Sequence, residues 1–395
     1  MLSMEGDARP LAGVTVVALE QAISAPFASR QLADLGATVI KVERPEGDFA
    51  RHYDDVVQGN SAFFVWANRG KQSVTVDLSD EAQEEFLMEL IAGADVFLHN
   101  VSAEAAKRRG LDAATLHARF PHLIACEISG YGNGGPRSHD KAYDLAIQAE
   151  AGAFSVNGDA EMSKTGFSVA DIASGMYALT SILAALTRRE RTGAGAVVSV
   201  AMLDSLVEWL SAPLYGAVYG AGQAPRTGRR HHAIAPYGTF ELSDGRTILI
   251  AVQSDGEWQA MARELLRMPE LGVDVRFATN PERLANVVEL EQIIRGVMGS
   301  ISATECLARL EAGRTAFAWV NDLPSVWEHE QLRARGRFHP VPTEHGPVEL
   351  LDPPFQIDGL PTPQGAIPAL GEHDEKVVDR VRKRGRARLE ENFEP

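Results

Sequence analysis

The sequence predicts an α/β protein, with a Rossmann-like doubly wound parallel sheet in its first half and a smaller α+β domain after it. Three observations carry this. Apolar extended runs alternate with helical spacings from residue 14 to residue 129, the pattern of strand–helix–strand units in a parallel sheet. Within 168–186, Ile172, Met176, Leu179, Ile182, Leu183 and Leu186 recur at steps of three and four, the apolar stripe of a helix that must bury it. Composition then shifts over 218–236 to Gly, Ala, Arg and His, and beyond it Asp244-Gly245 separates two extended runs, which signals a β-hairpin.

Taken in order, 14–20 reads as a buried strand. Residues 25–35 follow as a helix through Phe27, Leu32 and Leu35, closed by Gly36. Residues 38–43 form the next strand, 74–77 are extended, and 81–91 form an amphipathic helix. A strand at 95–99, a helix at 103–109 and a strand at 123–129 complete the alternation. The loop Gly130-Tyr-Gly-Asn-Gly-Gly-Pro136 matches G-x-G-x-x-G by letter. Pro136 and polar residues follow it, where a dinucleotide fingerprint needs a helix aimed at a pyrophosphate. Gly70-Lys71-Gln72-Ser73 fails as a P-loop, because Val65 stands at the leading glycine position. A strand at 197–201, a helix at 203–210, the hairpin at 237–252 and helices at 255–267, 281–299 and 303–312 come next. A Pro-rich extended stretch, 340–368, leads to a helix with a charged tail, 374–395.

Several function classes are excluded by composition. The 395 residues carry 38 Lys and Arg against 54 Asp and Glu, a net charge of -16, which argues against a nucleic-acid partner. No run of 18 apolar residues suggests a membrane span. The N-terminus lacks the apolar run of a secretory signal. With only Cys126 and Cys306 present, the expectation is a reduced, cytoplasmic protein with no membrane partner. His231-His232 and Glu328-His329-Glu330 lack ligand spacing, so no metal is expected. No G-x-S-x-G elbow supports a serine hydrolase.

Asp171 stands where the apolar stripe begins, and its position alone reads as a helix N-cap. Arg44, Lys71, Arg108, Arg109 and Lys141 are scattered cations, several of them just beyond the carboxyl ends of predicted strands. In a doubly wound sheet that edge takes ligands, and converging cations suit a phosphorylated one.

The chain resembles the family III CoA-transferases, which include formyl-CoA:oxalate and carnitine CoA-transferases and share a fold with the α-methylacyl-CoA racemases. The markers are Leu35-Gly-Ala-Thr-Val-Ile-Lys-Val-Glu-Arg-Pro45 with Gly47-Asp48, Asn68-Arg-Gly-Lys-Gln-Ser73, Gly130-Tyr-Gly132 and Ala170-Asp171 with Gly175. Thr192-Gly-Ala-Gly195 leading to Val200-Ala-Met-Leu-Asp204, then Pro236-Tyr237 and Leu370-Gly-Glu-His373, extend it over nearly the whole chain. The resemblance implies an interlocked homodimer. Its large CoA-binding domain would comprise 1–225 and 331–395, with 226–330 as the small domain.

It also implies that Asp171 is a catalytic nucleophile for acyl-CoA, with no permanently bound cofactor and coenzyme A or acyl-CoA as substrate. An ordinary aspartate, with a pKa near 3.9, is ionised at neutral pH. Arg44, Lys71 and Arg108 match residues holding the nucleotide and phosphates. Asn68, Arg69, Gly70, Asn100, Val101 and Ser102 lie on matching loops, and Lys141 and Tyr143 lie near the pantetheine end. Ile23 and Ser24 stand beside CoA, although Ile23 replaces a glutamine of the formyl-CoA enzyme. The stretch 229–235 is basic where that enzyme has a glycine-rich loop, which turns the expectation from oxalate toward other small acids.

The stretch 53–71 is similar to relatives that use succinyl-CoA and small dicarboxylic acids, and Arg229 and His232 could meet a distal carboxylate. Two alternatives stay open: a 2-methylacyl-CoA racemase using His139 and Asp171, and a non-catalytic CoA-binding paralogue.

Overall fold

The computed structural model describes residues 9–358, 360, 365–377 and 379. The chain divides into two compact units. One contains the residues up to Ala153, Thr165–Ala212 and those from Arg333 on; the other contains Phe154–Lys164 and Pro213–Leu332. Residues 154–164 and 213–225 thus group with the second unit, although both stretches lie inside the 1–225 part expected to form the large domain.

In the first unit the elements run β1 (Thr15–Leu19), α1 (Ser24–Asp34), β2 (Thr38–Glu43), α2 (Ala62–Asn68), β3 (Lys71–Thr75), α3 (Glu81–Ala92), β4 (Val96–His99), α4 (Ala103–Arg108), α5 (Ala113–Arg119) and β5 (Ile124–Ser129). Then come α6 (Asp144–Glu150), the single turn α7 (Ala153–Val156), which passes into the second unit at Phe154, α8 (Val169–Thr192), β6 (Ala196–Ala201), α9 (Met202–Trp209) and α10 (Ser211–Tyr219), which passes into the second unit at Pro213. The six strands form one parallel sheet in the order β3-β2-β1-β4-β5-β6. This is the Rossmann order, with its switch point between β1 and β4.

Alternation along each strand sends neighbouring side chains to opposite faces. Val16, Ala18, Val39, Val96, Leu98, Ile124 and Cys126 pack with α1, α8 and α9. Val17, Leu19, Ile40, Val42, Phe97 and Ala125 pack with α3 and α5. Because both faces are buried, the strands read as nearly continuous apolar runs. The 24-residue α8 has the length and hydropathy of a membrane span. Its stripe, including Ala178, Leu179, Ile182, Ala185 and Leu186, is instead already taken up by the first of these cores. Gly175 sits where α8 meets α1: a Cβ there would come 2.8 Å from the Ser24 carbonyl oxygen. Only glycine permits this approach, which brings the start of α8 up to the loop after β1.

Strand β3 begins at Lys71 rather than at Val74 as expected, because Lys71 and Ser73 bury polar side chains in an ion network. The Pro-rich stretch contains an antiparallel pair, β10 (Phe338–Val341) and β11 (Val348–Leu351). Most of the expected helix and charged tail at 374–395 lies outside the described residues.

In the second unit, β7 (Tyr237–Glu241) and β8 (Thr247–Ala251) form the expected hairpin, and β9 (Ala316–Trp319) adds an antiparallel third strand. Helices α11 (Asp255–Glu264), α12 (Asn280–Ala285), α13 (Val287–Met298) and α14 (Ala303–Gly313) surround a core containing Trp258, Phe277, Leu290 and Ile294. The helix expected over 281–299 is broken at Asn286, whose side-chain amide donates to the carbonyls of Glu282 (3.0 Å) and Arg276 (3.1 Å). A side chain bonding local carbonyls competes with helix continuation.

Candidate active site

Asp171 is the third residue of α8, not its cap. Ser168 precedes the helix and makes no side-chain capping bond. The free N–H groups are met instead by Asp144, whose Oδ1 accepts from Ala170 (2.8 Å) and Asp171 (3.3 Å). This corrects the capping expectation: a carboxylate from α6 takes the favourable place at the positive helix end. Asp144 is itself held, because its Oδ2 accepts from Gln148 Nε2 (2.7 Å). Gln148 Oε1 in turn accepts from the Thr165 hydroxyl (2.6 Å) and N–H (3.0 Å).

Asp171 is therefore released from capping. It is half-buried, and no donor among the described residues takes up its carboxylate. Burial, and then the Asp144 charge, push its pKa up to about 7. Both causes disfavour the anion. The expected ordinary aspartate pKa is thus replaced by one poised near neutrality, where a carboxyl group can serve as nucleophile and leaving group. Tyr53 belongs to the same surroundings. Burial, followed by Asp48, Asp171 and Tyr143, pushes its phenol up to about 12. Tyr53 carries no sequence signal for this place, because a local pattern does not report a tertiary neighbour.

A cavity of about 500 Å³ opens at the carboxyl ends of β1, β2 and β3. Its lining includes Gln21, Arg44, Gly47, Leu78, Val101 and Arg109. This is the edge at which doubly wound sheets take ligands. Arg44 is exposed at the wall, with Nε donating to the Gly47 carbonyl (3.0 Å). Arg109 donates to the Leu78 carbonyl and to Glu84 Oε1 (3.1 Å). Arg109, not the expected Arg108, lines the space. Arg108 is exposed on the last turn of α4.

Other expected contacts have structural partners. Lys71 Nζ is buried and donates to Glu20 Oε1 (2.7 Å), the Asn68 side-chain oxygen (2.9 Å) and the Pro26 carbonyl (3.0 Å). Burial pushes Lys71 down to about 7 despite Glu20, and Lys41 adds to the depression. Lys41 bonds Asp48 Oδ2 (2.8 Å) and lies 3.5 Å from Glu20. Arg69 forms a fork with both oxygens of Asp34 (2.8 and 2.9 Å) and donates to the Leu351 carbonyl (2.6 Å). Gly70 receives the 365–366 segment through its N–H to the Ala366 carbonyl (2.8 Å). Asn68, Arg69, Gly70 and Lys71 are thus held at the start of β3 and are not among the cavity walls.

Asn100 ties the loop after β1. Its Oδ1 accepts from Gln21 N–H (3.0 Å), and its Nδ2 donates to the Gln21 carbonyl (2.8 Å) and Ser24 Oγ (3.0 Å). Asp48 Oδ1 holds Ala22, at φ 59°, through its N–H (3.1 Å). Ile23 and Ser24 are buried in this loop, and Ser102 caps α4 by accepting from Ala105 N–H (3.3 Å). Lys141 and Tyr143 are exposed beside α6. His139 is exposed, with Nδ1 3.9 Å from Glu104 Oε1. Arg229 and His232 belong to the second unit. Among the described residues, no three His, Cys, Asp or Glu side chains group to hold a metal.

A Rossmann strand order and a cavity at its carboxyl edge place the chain in the class of doubly wound α/β proteins with a candidate ligand site at the strand ends. The CoA-transferase family III profile matches residues 11–374, and the chain belongs to that family. It is 31% identical over 382 residues to succinyl-CoA:glutarate CoA-transferase of Mus musculus, covering 94% of this chain and 86% of that one. Identity is also 31% to acetyl-CoA:oxalate CoA-transferase of Acetobacter aceti, covering 90% of each. The crystal structure of a CaiB/BaiF family protein from Brucella suis superposes with a TM-score of 0.84 at 33% identity, over 94% of this chain and 99% of that one. The chain is a family III CoA-transferase.

Proposed function

We propose that this enzyme moves CoA from an acyl-CoA donor, succinyl-CoA among the candidates, to a small dicarboxylic acid through covalent intermediates on Asp171. The single observation that carries the reading is the half-buried Asp171 carboxyl group, to which no donor among the described residues is bonded; burial and the Asp144 charge raise its pKa to about 7. Its anion attacks the thioester carbonyl and expels CoA thiolate, leaving an aspartyl–acyl anhydride. The thiolate then attacks the aspartyl carbonyl, releasing the first acid and forming an aspartyl-CoA thioester. The acceptor carboxylate attacks that thioester, and the two steps run in reverse to give the new acyl-CoA and free Asp171. Each step exchanges one acyl bond for another, dividing the transfer as covalent catalysis does.

CoA is assigned to the cavity at the sheet edge, with Arg44 and Arg109 meeting its phosphates as guanidinium groups do. The dicarboxylate class is supported by the relatives, named for transfer to glutarate and to oxalate. A homodimer is part of the proposal. Helix α10 buries none of its nine residues, and Tyr215, Val218 and Tyr219 are exposed on it; an apolar surface of this kind marks an interface. A cytoplasmic setting fits the two free, buried cysteines.

The test is an acceptor screen with succinyl-CoA, following CoA transfer by mass, on wild type and Asp171→Asn. Transfer to dicarboxylates that disappears in the variant is expected. Preference for long uncharged acids would overturn the acceptor class, and surviving transfer would overturn the covalent role. Deuterium wash-in at Cα of a 2-methylacyl-CoA, lost in His139→Ala, would establish the racemase alternative instead. Bound CoA without transfer to any acid would establish a non-catalytic paralogue.

A further inference from the structure

The second unit contains a polar cavity of about 230 Å³ that the transfer chemistry does not use. Four arginines line it, Arg226, Arg229, Arg230 and Arg295, with only Asp159 and Glu291 as acids. Its frame is a tight turn over 227–230. Arg230 N–H donates to the Thr227 carbonyl (3.2 Å), and the Thr227 hydroxyl donates to the Arg230 carbonyl (2.6 Å). Gly228, at φ +58°, carries the turn past the 158–160 segment. Its N–H bonds the Gly158 carbonyl (3.0 Å), and a Cβ there would stand 3.2 Å from Asp159.

The positive charge of this cavity is only partly answered. Arg226 spends its Nε and one terminal nitrogen on the carbonyls of Asp159 and Ala160, both at 3.0 Å, which orient the group without neutralising it. Glu291 is shared: it lies 3.3 Å from Arg295 and 4.0 Å from Arg230. No described residue pairs with Arg229. Thr239 completes the lining.

We infer that this cavity is a dianion site of the second unit, and that its ligand is a short dicarboxylate such as glutarate. Two charges are what four arginines and two acids leave unbalanced. Guanidinium forks from Arg229 and Arg295 suit carboxylate oxygens, and the space is too small for a whole nucleotide. The choice of a dicarboxylate over an inorganic dianion rests on the proposed acceptor class; the charge of the lining does not.

The test is calorimetric titration of glutarate and, separately, inorganic phosphate into full-length wild type, Arg229→Gln and Glu291→Gln, at low ionic strength and without CoA. Glutarate binding is expected to weaken at least tenfold in Arg229→Gln. It is expected to tighten severalfold in Glu291→Gln, where Arg230 and Arg295 lose their competing acid; a damaged fold would not tighten binding. If neither anion depends on Arg229 and Glu291, the site is overturned, while the acceptor screen still decides the transfer reaction on its own. If phosphate shows the dependence and glutarate does not, the dicarboxylate assignment is overturned. Arg229-dependent glutarate binding beside an acceptor screen that rejects dicarboxylates would support the site and overturn the acceptor class alone.

Discussion

The change Asp144→Asn tests whether the reactive carboxyl group is tuned by its neighbour. Asp144 does two things: it accepts the N–H groups of Ala170 and Asp171, and its charge raises Asp171. Asparagine keeps a carbonyl oxygen for the first task and removes the charge. The cost is local, because its amide would face Gln148 Nε2, now bonded to Asp144 Oδ2. One lost hydrogen bond is worth about 1 kcal/mol. A nearby charge at an effective dielectric of ~20 contributes about 1–2 kcal/mol, and a pKa unit is about 1.4 kcal/mol, so Asp171 falls by about one unit. The assay is the pH profile of kcat/KM for CoA transfer. Wild type should lose activity on acidification with a limb near 7, and the variant with a limb about one unit lower. At one unit below the wild-type limb, the share of plateau activity should rise about fivefold, as the ionised fraction goes from about one-tenth to one-half. An unmoved limb, or one moved upward, would refute the argument.

Other predictions follow from the same geometry. The raised pKa of Asp171 means that the folded protein holds this proton more tightly than the unfolded chain. The resulting stability is full below pH 3.8 and is lost as pH rises through about 7. Asp171→Asn should therefore stabilise the protein above pH 7, by at most about 4 kcal/mol, and leave it unchanged below pH 4; denaturation at both pH values reads this, and destabilisation at pH 8 would contradict it. Gly175→Ala places a methyl group 2.8 Å from the Ser24 carbonyl and should cost about 1–3 kcal/mol in a melt, with turnover falling further as α8 shifts; an unchanged melting point would show that the approach is relaxed. Arg109→Ala should raise KM for acyl-CoA about tenfold with kcat nearly kept, whereas Arg108→Ala should change neither; the reverse pattern would reassign the cavity wall.

What the sequence made legible follows burial symmetry. Strands β1, β2, β4 and β5 are buried on both faces, so apolar letters predominate in them, with Lys41 and Glu43 of β2 the main exceptions, and their bounds stand within a residue or two of expectation. Asp171 is marked in the sequence by its place before the stripe, but the reason it does not cap the helix is not legible there: Asp144 lies 27 residues away and reaches it only through the fold. The Asn68–Lys71 motif shows the opposite difficulty. Its cations look like ligand contacts, yet charge in a sequence does not reveal whether a side chain is exposed, and here Glu20 and Asp34 bury and pair them. Arg108 and Arg109 differ by one position on a short helix end, and only the turn of the chain decides which faces the cavity.

The central claim is that Asp171 carries the CoA during turnover. Its most direct test is to add hydroxylamine or borohydride during transfer between succinyl-CoA and glutarate, digest the protein, and identify the modified peptide by mass. The account predicts an adduct on Asp171 that requires the acyl-CoA donor and is absent in Asp171→Asn. Sustained turnover with no adduct on that peptide, or CoA transfer surviving in the variant, would contradict it.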